Sequence, residues 1–150
     1  MTGRQRTGTV LTMSADALSL RRLTQWLADV LAATGSESTV LQARVELAVH
    51  EICMNVVDHA YGTEDGAERG DIAVEAAVDA DAVRIWVTDC GGRFDPETAP
   101  PPVPGRPQVR GYGLDIAGKL TDDLGYRRET GRNTWTLRFD RTHDKQEAGP

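Results

Sequence analysis

The sequence predicts an α+β domain, a two-layer sandwich in which helices cover one face of a mostly antiparallel mixed sheet. Two stretches with apolar residues at helical spacing follow a short first strand, and paired stretches with strand-like alternation come later. The predicted order is β α α β β, a long loop, then α β β. Because strands and helices are grouped rather than strictly alternating, this order argues against a doubly wound parallel sheet.

Composition limits the classes of function. The 150 residues are enough for one domain with its own core, and 39% hydrophobic with 27% charged residues is typical of a globular protein. The net charge of −6 disfavours direct nucleic-acid binding. No apolar run is long enough for a membrane span, and the N-terminus lacks the apolar core of a signal peptide. We therefore expect a cytoplasmic protein, with Cys53 and Cys90 as free thiols.

In the first half of the chain, the sequence predicts one strand and two helices. Residues 1–8 are a loose lead, and Thr9 to Met13 is a short strand. Ser14 is a good N-cap for a helix that runs to about Ala33. A second helix begins at Ser36 or Ser38, ends at about Tyr61, and has this buried stripe: Leu41, Val45, Ala48, Ile52 and Val56.

In the second half of the chain, the sequence predicts four strands and one helix. Six of the seven prolines lie between residues 96 and 107, so the segment 96–110 is read as a loop. Residues 141–150 form a polar tail, and 9–140 form the domain. The predicted elements are strands 71–80 and 82–88, a helix 111–122, and a final hairpin of strands 124–129 and 133–139.

Glu51 and Asn55 are one helical turn apart and share a face of the second helix. Asn55 offers a neutral oxygen of the kind that Mg²⁺ accepts, and Glu51 is positioned to act as a base near such an ion. Taken alone, the pair is more often an ordinary solvated face. A zinc-protease reading of His50-Glu51 fails, because position 54 is methionine.

Asp89 follows a predicted strand and precedes Gly91 and Gly92. A carboxylate at a strand end can accept a hydrogen bond from an exocyclic amine such as that of adenine, and the glycines let a flat ring approach. The simpler reading is a turn that leaves the strand.

Gly111 and Gly113 open the third predicted helix. Glycines there leave backbone amides exposed beside the positive end of the helix dipole, which favours phosphate. Arg106 and Arg110 precede them and are able to reach phosphates from the loop. Neither a complete dinucleotide motif nor a Walker A loop is present, so this signal alone is weak.

Together and in this order, the three segments resemble the GHKL (Bergerat-fold) ATP-binding superfamily, and within it the bacterial anti-sigma factor serine kinases. Residues 46–61 look like its N-box, 89–96 like its G1 box and 110–116 like its G2 box. The resemblance covers about residues 9–140. It implies a histidine-kinase-type ATPase fold.

The resemblance also implies roles for individual residues. Glu51 would be the catalytic base, and Asn55 would hold Mg²⁺ beside ATP. Asp89 would read adenine. Arg22 is a candidate for partner docking. The other residues that it assigns to the nucleotide are Gly91, Arg110, Gly111, Gly113, Leu114 and Thr134.

The function implied is a protein serine/threonine kinase that phosphorylates a STAS-type anti-sigma antagonist and sequesters a sigma factor, as a homodimer. The alternative is a nucleotide-gated binding module with little or no kinase activity. Two features motivate that alternative: Arg93 replaces the second glycine of the usual D-x-G-x-G pattern, and the predicted lid, residues 96–109, is very rich in proline. A histidine kinase is disfavoured, since no helical hairpin with a phospho-acceptor histidine precedes the domain.

Overall fold

The computed structural model describes residues 9–16, 18–33, 38–60, 70–91 and 113–141. A π-helical turn, Val56–Ala60, directly follows the second helix. The predicted lead (1–8), the whole loop (96–110) and all but the first residue of the tail (141–150) lie outside these ranges, and the division into those three parts stays a prediction. The elements are β1 (Thr9–Ser14), α1 (Leu20–Ala33), α2 (Thr39–Asn55), β2 (Asp71–Val78), β3 (Ala82–Asp89), α3 (Gly113–Leu120), β4 (Asp123–Glu129) and β5 (Arg132–Asp140).

The five strands form one sheet in the order β1-β2-β3-β5-β4. Each of the four pairings between described strands is antiparallel, where a mostly antiparallel but mixed sheet was expected. The α+β class and the predicted strands are confirmed, with bounds that differ by a residue or two. β3 is central, so its last residue lies between β2 and β5.

The core lies between the three helices and one face of the sheet. On β3 and β5 the buried residues alternate with less buried ones, as expected for strands covered on one side. The predicted stripe of α2 is fully buried, which confirms that helix and its orientation. The largest fully buried side chains of the sheet are Phe139, Ile72, Ile85 and Leu137.

At one end of the covered face, the sheet changes from apolar to polar. The register places Asn133 of β5 opposite Asp89 of β3 on one side and Arg128 of β4 on the other. The neighbouring row is apolar or aromatic, and in it Tyr126 pairs with Trp135 at a ring-centroid distance of 4.6 Å. The polar row therefore marks one end of the core.

One local prediction was wrong. Ser14 does not cap α1; it ends β1, where it pairs with Asp71. Asp16 instead accepts a 2.9 Å hydrogen bond from the backbone N–H of Ser19, just before α1 begins. The described part of the third helix is Gly113–Leu120, and its predicted start at residue 111 lies outside the described ranges. No helix of the described residues is long and apolar enough to cross a membrane.

Candidate functional site

The helix α2 carries Glu51 and Asn55 to the polar end of the core. Its start is set by Ser38, whose hydroxyl accepts a 3.1 Å hydrogen bond from the N–H of Leu41. Asn55 is buried, with 7% of its surface exposed, and its Nδ2 has no hydrogen-bond partner in the described structure. A buried amide nitrogen without a partner is costly, which is a mark of sites that act on a ligand.

The turn after β3 holds Asp89 by one of its two carboxylate oxygens. Asp89 Oδ1 accepts hydrogen bonds from the N–H of Gly91, at 2.9 Å, and from Nδ2 of Asn133, at 2.8 Å. Oδ2 is buried and has no partner among the described residues. One oxygen is thus fixed by the protein, and the other remains an acceptor.

Burial raises the pKa of Asp89 above the ordinary aspartate value. Hydrogen bonds from Asn133 and Gly91 and the charge of Arg128 act in the opposite direction without cancelling the effect of burial. The ionised form therefore depends on these donors, because removing any of them would raise the pKa further.

A buried thiol links α2 to Asp89. Burial raises the pKa of Cys53 strongly, and the nearby negative charge of Asp89 adds to that rise. The part of α2 that carries Cys53 therefore lies near the end of β3, against which α2 packs. The joint action of Glu51, Asn55 and Asp89 at one site stays a prediction.

The helix α3 is aligned against α2 by Arg44. Its guanidinium donates to the carbonyl oxygen of Leu120 from Nε at 3.1 Å and from Nη2 at 3.0 Å, and it pairs with Asp122 at 3.3 Å. This contact joins the early part of α2 to the end of α3, and the two helices pack together.

The structure separates two of the predicted residues from this group. Thr134 follows Asn133 in β5 and so faces the other side of the sheet, away from Asp89. Arg22 is exposed on α1. Leu114 lies in the first turn of α3, half-buried against the core. Arg93, Arg106, Arg110 and Gly111 lie outside the described residues.

Three residues beside Asp89 were missed from the sequence. Asn133 Oδ1 accepts from the Tyr126 hydroxyl at 2.6 Å and from Arg128 Nη1 at 2.9 Å, and Arg128 Nη1 also donates to the Gly91 carbonyl at 2.9 Å. The alternation of β5 was a usable signal, because Asn133 shares the parity of its buried apolar residues.

The donor set fits a magnesium ion that is held mainly by a nucleotide. Within the described ranges, no group of three or more His, Cys, Asp or Glu side chains is arranged to hold a metal. Mg²⁺ commonly takes one or two protein oxygens and completes its shell with phosphate and water. The side-chain oxygen of Asn55 is the atom that would serve as such a single ligand, and the unpartnered Nδ2 would then remain to donate to a phosphate or water.

Comparison with known proteins assigns the chain to a family. The model of the histidine kinase-like ATPase domain matches residues 13–139, which include Glu51, Asn55, Asp89 and Gly113. The chain belongs to the histidine kinase-like ATPase domain family.

Individual relatives point to a narrower group. A segment of 51 residues is 47% identical to serine-protein kinase RsbW of Bacillus pumilus strain SAFR-032, and it spans 34% of this chain and 31% of that protein. The structure of the RsbU and RsbW domains of Rv1364c from Mycobacterium tuberculosis is similar over 87% of this chain, with a TM-score of 0.61 and 25% identity. This chain covers 32% of that one. The chain thus resembles anti-sigma kinase-like ATPase domains.

A third likeness concerns the fold alone. The histidine kinase domain of the Erythrobacter litoralis EL346 blue-light activated histidine kinase matches 83% of this chain with a TM-score of 0.55 and 16% identity. The match covers 63% of that chain. The chain therefore spans less than two thirds of each of these relatives.

Proposed function

We propose that this chain is a Mg-ATP-dependent protein serine/threonine kinase that phosphorylates a STAS-type anti-sigma antagonist and sequesters a sigma factor. The observation that supports the proposal is that Asn55 and Asp89 are both buried and that each has a side-chain polar atom without a partner among the described residues. The family match includes both of these residues and Glu51, and the partial match to a serine-protein kinase supports the narrower assignment.

ATP binding rests on two separate features of the site. The free Oδ2 of Asp89 is an acceptor that an adenine amine would satisfy. The amides at the start of α3, around Gly113 and Leu114, suit phosphate, and Arg110 and Gly111 stay predicted contributors there. Asn55 would hold Mg²⁺, which offsets the charge of the phosphates.

Phosphoryl transfer would depend mostly on positioning and electrostatics. Glu51 would orient the attacking serine hydroxyl and take its proton as the oxygen bonds to the γ-phosphorus. ADP leaves with the electron pair of the broken bond. Asn55, one turn further along α2, would hold the Mg²⁺ ion, which would offset charge on the phosphates, so the proposed base and metal ligand belong to the same helix face.

The partners are proposed from the resemblance. A STAS-type antagonist would supply the serine, and a sigma factor would bind the nucleotide-loaded form. Arg22 is proposed to contribute to partner docking because it is exposed on α1. A homodimer is part of the same proposal.

Phosphotransfer from γ-labelled ATP tests the proposal. Proteins recovered from the native cytosol with the full chain, with and without ATP, serve as acceptors, and STAS-domain proteins are tested individually. We expect label on serine or threonine, lost in Glu51→Gln while calorimetry still shows ATP binding. Glu46→Gln on the same helix is the matched control and should retain transfer.

Three other results would redirect or overturn the proposal. ATP-dependent complex formation without transfer to any partner would support the nucleotide-gated module. Equal transfer by the parent and Glu51→Gln would exclude Glu51 as the base. No ATP binding by the parent would overturn both functions.

A further inference from the structure

The side chain of Asn133 makes hydrogen bonds within the protein at both its oxygen and its nitrogen. Its Oδ1 receives the Tyr126 hydroxyl and Arg128, and its Nδ2 donates to Asp89 Oδ1 at 2.8 Å and to the Gly91 carbonyl at 3.4 Å. Two donors face the amide oxygen and two acceptors face the nitrogen, so the network fixes its orientation. Asn133 is also only 1% exposed. It is built to hold Asp89 rather than to touch a ligand.

This arrangement leaves Asp89 with a single available oxygen. An ionised carboxylate can accept at both oxygens and can bind two adjacent donors at once. Here Oδ1 already accepts from Gly91 and Asn133, whereas Oδ2 is buried and has no partner in the described structure. The carboxylate therefore offers one acceptor to a base.

We propose that Asn133 is a positioning residue that sets base specificity. Because Asn133 occupies Oδ1 of Asp89, the carboxylate selects adenine, which presents its 6-amino group as a single donor, and rejects guanine. This inference rests on the proposed function, because it takes Asp89 as the residue that reads the base. Adenine places its 6-amino group as one donor against Oδ2. Guanine has a carbonyl oxygen at that position, and its two adjacent donors, N1–H and the 2-amino group, need both carboxylate oxygens.

Tyr126 and Arg128 act through Asn133. The Tyr126 ring packs on Trp135, which fixes the direction of its hydroxyl. Arg128 joins the Asn133 amide to the Gly91 carbonyl, so the turn after β3 is fastened to β4. Loss of either donor would allow the side-chain amide of Asn133 to rotate. Oδ1 of Asp89 would then lack its Asn133 donor for part of the time. Both changes are expected to relax specificity in the same direction as loss of Asn133.

Calorimetric titration of the full chain with ATP, GTP and ITP tests the inference. The parent is expected to prefer ATP and to bind GTP and ITP about equally weakly. In Asn133→Ala the ATP preference over GTP should fall roughly 10-fold, the scale of discrimination of one good paired contact. GTP should also become tighter than ITP, because inosine lacks the 2-amino group.

Two further variants separate specificity from folding. Tyr126→Phe keeps the packed ring and removes only the hydroxyl, so it gives a testable protein if Asn133→Ala fails to fold, and it should relax the ATP:GTP ratio about 3-fold. Thr136→Ala, on the other face of the same strand, should leave the ratio unchanged.

The outcomes distinguish this inference from the proposed function. If the parent binds no ATP, the proposed function fails. If the parent prefers ATP, but Asn133→Ala and Tyr126→Phe weaken all three nucleotides equally and leave the GTP:ITP ratio unchanged, Asn133 is only structural and the inference is overturned.

Discussion

Arg44 in α2 donates two hydrogen bonds to the carbonyl oxygen of Leu120, 76 residues further along the chain. Leu120 is the last residue of α3, where carbonyl oxygens lack partners within the helix. The guanidinium satisfies one of them and also reaches Asp122, whose carboxylate accepts a 2.7 Å hydrogen bond from the N–H of Asp140 in β5. One side chain therefore ties α2 and α3 to the sheet.

Replacement of Arg44 by methionine should lower the free energy of unfolding by about 1–3 kcal/mol, because it leaves a poorly hydrated carbonyl without its charged donor. Methionine retains most of the apolar stem, so lost packing contributes little. Urea unfolding with an unchanged m value measures the effect. Lys119→Met is the control, since the Lys119–Asp115 pair is largely exposed, at 77% and 64%. That control should change the free energy of unfolding by less than about 0.5 kcal/mol. An equal loss of unfolding free energy in Arg44→Met and Lys119→Met would contradict the prediction.

Asn55→Ala should remove the Mg²⁺-dependent part of ATP affinity without unfolding the domain. The Asn55 amide nitrogen has no protein partner, so its loss breaks no bond from that atom. Calorimetry should show that the parent binds ATP much more tightly in Mg²⁺ than in EDTA, whereas the two affinities of the variant should be similar. Gln42→Ala, which removes an α2 side chain bonded to Glu46, should keep the difference in affinity of the parent. Unchanged affinity in Mg²⁺ would count against Asn55 as the metal ligand.

Asp89→Asn should weaken ATP binding severely while leaving the domain as stable as the parent or more so. The buried Oδ2 is costly as a charged atom without a partner, and a neutral amide reduces that cost. The folded pKa of Asp89 is raised, so the parent loses stability as pH rises from the ordinary aspartate value through the raised one.

The stability of Asp89→Asn relative to the parent should therefore increase across that interval and level off above it. Urea midpoints measured over a pH series test this. A variant that loses ATP affinity and stability in proportion would indicate a purely structural role for Asp89.

The turn between β2 and β3 should contribute to acid sensitivity through Asp79. Partial burial pushes the pKa of Asp79 up, but hydrogen bonds from the N–H groups of Asp81 and Ala82 and the guanidinium of Arg84 outweigh it, and the pKa is lowered. A lowered folded pKa gives stability that is present above the unfolded value, about 4, and is lost as pH falls through the folded value.

Asp79→Asn should accordingly be less stable than the parent at neutral pH, and the difference should shrink below about pH 4. The carboxylate is 45% exposed, so solvent screening keeps the effect small. Asp81→Asn in the same turn is the control. A difference that stays constant down to the lowest pH would show that the Arg84 pairing contributes nothing.

Local patterns in the sequence predicted most of the fold. The alternation in β3 and β5 and the buried stripe of α2 are properties of neighbouring residues, so they can be read without the tertiary structure. Ser14 failed as a cap because its pairing with Asp71 depends on a strand 57 positions away, and propensity alone does not reveal such a partner.

The residues of the candidate site were likewise predicted only in part from the sequence. Glu51, Asn55 and Asp89 stood out because their spacing and position in elements already suggested chemistry. Asn133 was missed because its role comes from contacts with Asp89, 44 residues away, and with the neighbouring strand. Thr134 was chosen instead, although the two-residue period of β5 turns its side chain to the opposite face.

The sheet order has a consequence for biosynthesis. Strand β5 inserts between β3 and β4, so a nascent chain that has emerged only as far as β3 presents Asp89 without its amide partner. Until β5 has been synthesised, the proposed adenine site at Asp89 lacks Asn133. If ATP binds there, it would therefore stabilise only molecules in which β5 is already paired with β3.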